Sequence, residues 1–231
     1  MNRFYLAVAL FFLCLNLEGQ RLYPRIGITA SVNTYLPPDY DVKPKVGFTV
    51  GVGYNHALSE TFSVQADLDY VRKSFESTFS KSSTFQDGDD IYELQVKGSN
   101  QYAISYLELP LFLKARIVHH DFFVLGGFSI GMALGGSYKY NHDKTSSYFD
   151  PLHEEGSGKI KFGDESGANN EDVYFDNRWD LGFHVGFGAL ILKKIQVECR
   201  FGTGTVNLNK DADSKNRCLQ ISFATPIQLK R

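Results

Sequence analysis

Nine side chains carry most of the chemistry this sequence could perform, and they fall on alternate residues: Asp67 and Asp69, Glu108 with Lys114 and Arg116, Asp180 with His184, and Glu198 with Arg200. Such a set could be acid–base or nucleophilic machinery, a metal cage, or a network of ion pairs. Nucleophilic catalysis requires a serine and a histidine in hydrogen-bond reach, often with a carboxylate behind them, where a substrate can enter. His184 is the one histidine on a strand-like pattern; His56, His119 and His120 fall in turns, and His142 and His153 in a polar loop. A histidine on the polar phase of a strand is more often a packed hydrogen-bonding residue than a base, so no catalytic residues are assigned. The tract GDESGANNED, 163–172, lacks the alternating ligands, the sixth-position glycine and the closing glutamate of a calcium loop. Metal-ligand spacing, a phosphate-cradling GxxxxGK and a dinucleotide GxGxxG before a helix are absent, so no metal or cofactor is expected.

The elements that must position these groups are strands. Aromatic residues make up 14% of the 231 residues, with 19 Phe, 13 Tyr and 21 Gly, a strand-and-turn vocabulary. With 24 Lys and Arg against 26 Asp and Glu the formal charge is −2, so no basic surplus invites nucleic acid. In DLGFHVGFGALI, 180–191, Leu181, Phe183, Val185, Phe187 and Ala189 alternate with Asp180, Gly182, His184, Gly186 and Gly188. The same period of two recurs from Ile26, Val46, Phe62, Leu107, Phe122, Ile195 and Leu219, giving eight strands. Short turns are expected at 56–60, 118–121 and 192–194, and long polar loops at 36–45, 74–100, 138–177 and 205–217. Short turns on one rim and long loops on the other fit an all-β, eight-stranded antiparallel up-and-down transmembrane β-barrel with its long loops outside the cell.

Alternation alone leaves the lumen face open, because a secreted lipocalin-like barrel would turn its apolar face inward. The strands are long enough to cross a bilayer at a tilt, the polar face is rich in Gly, Ser and Ala, and its charges are balanced. The nine charged or ionisable residues are therefore expected to face a packed lumen and pair there, since an unpartnered buried charge costs several kcal/mol. Pro110 falls on that phase, where a bulge or an interrupted ladder should absorb its missing N–H. Tyr54, Tyr70, Tyr102 and Phe122 suit interfacial aromatic girdles. Cys199 outward and Cys218 inward predict two free thiols.

The start of the chain, MNRFYLAVALFFLCLNLEGQ, has one early positive charge, an apolar run shorter than a membrane-spanning helix and a small residue at its polar exit. A secretory signal peptide over 1–19 and a barrel domain over 20–231 are expected.

The stretch YLELPLFLK, 106–114, resembles the signature of the PorT-like outer-membrane β-barrel family found widely in Bacteroidetes. GITASVN, GGFSIGMALGG, DLGFHVGFG and VECRFGTGTVNLN are similar to it as well, across almost the whole chain after the signal segment. The resemblance implies an eight-stranded barrel in the outer membrane and, for the family's namesake, a part in type IX protein secretion. The expected function is that of an integral outer-membrane protein with a filled polar lumen, in a structural or interaction role or as an accessory to export. Its expected partners are outer-membrane lipid and secretion or envelope proteins, with no nucleic acid. An outer-membrane lipid-modifying barrel enzyme and a secreted lipocalin-like binder are the alternatives.

Overall fold

The structure is a computed structural model that describes residues 20–34, 40–88, 90–117, 121–163, 172–192, 194–210 and 214–227. The expected signal segment, His119, His120 and most of the GDESGANNED tract lie outside these residues.

Alternation on the page becomes strands in space, ten of them among the described residues: β1 (Gln20–Asn33), β2 (Tyr40–Ala57), β3 (Phe62–Asp87), β4 (Asp90–Arg116), β5 (Phe122–Ser146), β6 (Leu152–Phe162), β7 (Val173–Phe175), β8 (Trp179–Ile191), β9 (Ile195–Gly204) and β10 (Asn216–Ala224). β1 through β5 pair in sequence, β5 pairs with β8, β8 with β9, β9 with β10, and β10 returns to β1, every pair antiparallel. Eight strands thus close a ring with no exposed edge, and β6 and β7 add a flap on the upper part of β5. Gln20 pairs with His56 and Ala224 with Gln196, which puts the start of β1 and the end of β10 on the short-turn rim.

The apolar phase faces out. Val46 is 76% exposed, Ile26 64%, Phe187 61% and Leu109 54%, while Asp67, Asp69, Glu198 and Arg200 are each 2% exposed or less. That arrangement is the reverse of a lipocalin and excludes a water-soluble barrel with an apolar cup, because a band of outward Ile, Val, Leu and Phe is stable only against lipid. Cys199 and Cys218 are free.

Pro110 is buried, and the β3–β4 ladder lapses there: it runs to Ala66↔Leu111 and resumes at Asp69↔Glu108 without a change of register. The ladder to β5 continues through Pro110↔Ser129, so the missing donor costs one side of the strand only.

The expected polar loops at 74–100 and 138–177 are strand over most of their described length, and β2 already begins at Tyr40. β3, β4 and β5 are 26, 27 and 25 residues long, far beyond the roughly 9–11 residues that span a bilayer. Their upper halves, joined by β6, project from the long-loop rim as a four-stranded sheet that carries His142 and His153 on β5 and β6. The reason is local: alternation continues past Ser74 through Phe75, Phe79 and Phe85, and a glycine at φ 65°, Gly88, turns the β3–β4 hairpin.

Where the sheet leaves the barrel, β5 inserts one extra residue. Ser105 pairs with Gly135 but Tyr106 with Ala133, leaving Leu134 over as a bulge. Gly135 takes φ 145° there, a conformation essentially reserved for glycine. Gly135→Ala is expected to destabilise the barrel by about 1–3 kcal/mol, read as a lower temperature at which the folded band disappears on an unboiled gel.

Candidate functional site

The lumen is built by the odd positions of β1, β2, β3 and the barrel part of β5 and by the even positions of β4, β8, β9 and β10, which alternate with the lipid-facing residues. Large inward groups sit opposite glycines of the neighbouring strand. A side chain at Gly53 would collide with Asp67, one at Gly188 with Phe123, and one at Gly202 with the His184 ring. The glycine-rich polar phase is thus the room that these groups occupy in a ring of eight strands.

Two ion clusters stack along the axis. In the lower one Arg25 and Arg200 both bind Asp67 and Glu198; the Arg25 Nη2–Glu198 and Arg200 Nη1–Asp67 pairs are 3.3 and 2.8 Å. Arg25 also donates to Ser222 at 2.7 Å and lies 3.6 Å from Asp69, and Gln65 donates to Asp67 at 3.1 Å. The Arg200 guanidinium stands 4.3 Å from the centre of the Phe112 ring. Beneath it Lys114 donates to Gln196 at 2.8 Å and lies 3.5 Å over Phe123.

The upper cluster centres on Lys73, which reaches Glu108 at 2.7 Å and Asp180 at 2.9 Å. Asn216 completes it, donating to Asp180 at 2.8 Å and to the Tyr106 hydroxyl at 3.1 Å. Charges this deeply buried persist only when partnered, and Arg25, Arg200, Asp67, Glu198 and Lys73 each meet at least two groups of opposite charge, while Asp69 meets Arg25 alone.

Of the nine residues singled out from the sequence, Asp67, Asp69, Glu198 and Arg200 meet in the lower cluster, with Lys114 below it, and Glu108 and Asp180 in the upper one. Arg116 does not join them. It sits at the short-turn rim, more than half exposed, 3.4 Å from Asp121, because its strand ends there and its side chain escapes to water. Arg25 and Lys73 were missed, although each continues the polar phase of its strand just beyond the expected limits at Ile26 and Tyr70. Tyr102 is a further correction: it shares the inward phase with Glu108 and packs on Phe75 and Tyr138 rather than in a girdle.

His184 shares a 2.7 Å hydrogen bond with Ser129 and presents its ring to the edge of Phe112. The pair lines neither of the cavities at the two rims, and no group of His, Cys, Asp or Glu among the described residues has the arrangement of a metal site.

Each rim holds a cavity. The lower, about 250 Å³, is floored by Lys114 and Gln196 and edged by Glu60, Arg116 and Asp121. The upper, about 270 Å³, is walled by Tyr40, Phe75, Tyr102 and Phe175, with Ser77 and Asn100 between them. Below this cup, Ile104, Tyr106, Ala133, Ile160 and Leu208 form a dry plug over the upper ion cluster.

Among known proteins, the family described as "Outer membrane protein beta-barrel domain" matches residues 19–208. No curated protein matches the chain. Similar solved structures include Ail, the attachment invasion locus protein of Yersinia pestis, at 13% identity, 91% of this chain, 100% of that one and a TM-score of 0.41. The outer membrane protein OprG of Pseudomonas aeruginosa is similar at 10% identity, 91% and 96% coverage and 0.40. Neisserial surface protein A is similar at 7% identity, 90% and 97% coverage and 0.37.

Proposed function

Because this chain belongs to the outer membrane protein beta-barrel domain family, we propose that it is an outer-membrane protein with a sealed lumen, whose task is recognition by the sheet that projects from its long-loop rim. The observation that carries this reading is the division of labour along the strands. Their lower halves are spent on an interior of paired ions and rings, and a ring of eight strands has room for little besides such side chains. The upper halves of β3, β4 and β5, with β6, extend a sheet with Gln, Lys, Asn and Asp on its outer face and rings on its inner face. A protein that only filled membrane would have no use for strands this long. On this reading the long-loop rim lies outside the cell, and the Ser129–His184 pair holds strands together rather than performing catalysis.

Reconstitution into lipid vesicles tests it. Swelling in sugars or salts should equal that of protein-free vesicles; swelling that admits even small sugars would replace the recognition reading with a channel.

A second reading, an accessory role in type IX secretion, rests on the YLELPLFLK signature. Deletion of the gene should then remove exported cargo from the medium, whereas an unchanged secreted set would leave recognition at the surface as the function. A lipid-modifying enzyme would instead show altered lipid A on deletion, restored by wild type and not by His184→Ala; unchanged lipid A on deletion is expected.

A further inference from the structure

We propose that the cup at the long-loop rim is a binding site for a neutral saccharide, seated on the inner aromatic face of the projecting sheet; this rests on the recognition reading and names its ligand class. The residues around the cup are aromatic, aliphatic, amide or hydroxyl, and none carries a formal charge. Lys81 lies 5.0 Å over the Tyr40 ring and Lys161, paired with Asp172, reaches the Tyr174 hydroxyl at 3.4 Å, both from beyond the lining; the cup's own surface offers an ion no direct partner and suits an uncharged occupant.

The rings have the arrangement that a sugar needs. Phe75 and Tyr102 stack at 4.9 Å and 19°, Tyr102 continues to Tyr138 at 5.1 Å, and Tyr138 to Tyr140 at 5.8 Å. Farther up the same face Tyr40 lies 5.1 Å from Phe79, which meets His142 edge-on at 5.3 Å. Most of these rings are only partly covered, and they form two rows that run across the strands, Phe75–Tyr102–Tyr138 and, above it, Tyr40–Phe79–His142. Gly98 and Gly156 give them space, since a side chain at the first would strike His142 and Phe79, and at the second Tyr140. A pyranose has one face of C–H bonds that lies against such rings and a rim of hydroxyls that asks for short, uncharged donors and acceptors.

Those polar partners are present and in part unspent. Ser77, on the cup wall, is 1% exposed, and its hydroxyl meets no partner. Buried hydroxyls are normally bonded, so an orphan beside a cavity points to a group that arrives from outside. Asn100, also on the cup wall, accepts with its carbonyl oxygen from the Tyr138 hydroxyl at 3.0 Å, and the same oxygen lies 2.9 Å from His142 Nε2; its amide N–H groups remain to serve a ligand hydroxyl. Burial holds the His142 imidazole below its ordinary range and the Tyr138 phenol above its own, which keeps these two rings uncharged at pH 7. A purely apolar ligand would leave Ser77 and Asn100 unsatisfied, and a short peptide in a sheet-flanked groove would seek strand edges, whereas the cup offers side chains.

Saturation-transfer NMR on the detergent-folded, full chain is the test, with cellohexaose, maltohexaose, mannohexaose, xylohexaose and chitohexaose as neutral probes and hexagalacturonate as an acidic one. At least one neutral probe should receive saturation at ~1 mM and compete with itself. Tyr40→Ala and Asn100→Leu should each weaken that binding about tenfold, while Lys139→Ala, on the outer face, should leave it unchanged. Unboiled gel mobility reports separately that each variant is folded. Absence of saturation for every neutral probe, or hexagalacturonate binding as well as the best of them, overturns the proposal. Failure here with vesicles still impermeable would remove the saccharide and leave the recognition role standing, while permeable vesicles would remove the role itself.

Discussion

Arg200→Met is expected to lower the stability of the folded barrel by about 3–5 kcal/mol. The side chain is fully buried and its two arms neutralise Asp67 and Glu198 while its plane covers Phe112. Met fills nearly the same volume, so little of the cost is cavity. What remains is two carboxylates with Arg25 as their cation and only amide donors from Gln65 and Gln196 beside it, in a medium where an uncompensated charge is far more expensive than in water. Urea-induced unfolding in detergent micelles, followed by the gel-mobility shift, measures it. Arg200→Lys should recover only part of the loss, because an ammonium cannot face two carboxylates in fork geometry. A loss under about 1 kcal/mol for Arg200→Met would mean that the lower cluster holds itself together without this cation.

The second large effect is at the upper cluster and can be reversed by removing the opposite charges. Lys73→Met takes away the one cation between Glu108 and Asp180, and again about 3–5 kcal/mol is expected to be lost. In the triple variant Lys73→Met, Glu108→Leu, Asp180→Asn, most of that stability should return. Apolar groups of similar volume replace a buried ion cluster at little or no cost, and the amide oxygen that takes the place of the Asp180 carboxylate can still accept from Asn216. If the triple variant is as unstable as Lys73→Met, the damage comes from packing against Tyr106, over whose ring Lys73 lies at 4.6 Å, and not from stranded charge. The pair of variants thus separates electrostatics from shape, which no single substitution can do.

The contrast between Arg116 and Lys114 shows how far the sequence could be read. Both stand on the even phase of β4, two residues apart, yet Lys114 is buried over Phe123 and Arg116 reaches Asp121 in water. Phase is a property of the chain and height above the short-turn rim is not, because height depends on where the neighbouring strands begin and end. The same limit hid Arg25 and Lys73. Each obeys the alternation, but alternation marks a strand only as far as its last clear apolar residue, and strands do not stop there when the next residue also has a partner. Tyr102 was misplaced for a related reason: an aromatic residue at a strand end looks like a girdle residue unless its phase is followed through Tyr106 and Glu108. The projecting sheet was legible in principle from Phe75, Phe79 and Phe85, but Ser, Lys and Thr between them lower the apolar contrast below that of a membrane strand.

By itself the sequence determined the all-β class, the eight strands of the ring, the outward leucines and inward ions, and the side on which the short turns lie. The strands follow from a period of two, which the covalent chain imposes on its own side chains without reference to any neighbour; the facing follows from strand length, the small residues of the polar phase and its balanced charge, and the rim from the lengths of the intervening segments. Only the tertiary structure decided which carboxylate meets which cation, that the ions divide into two clusters, and that rings from β2, β3, β4 and β7 converge on one cup. Those facts depend on the stagger between strands far apart in sequence. The stagger is set by the closing of the whole ring, to which every strand contributes and which none specifies alone.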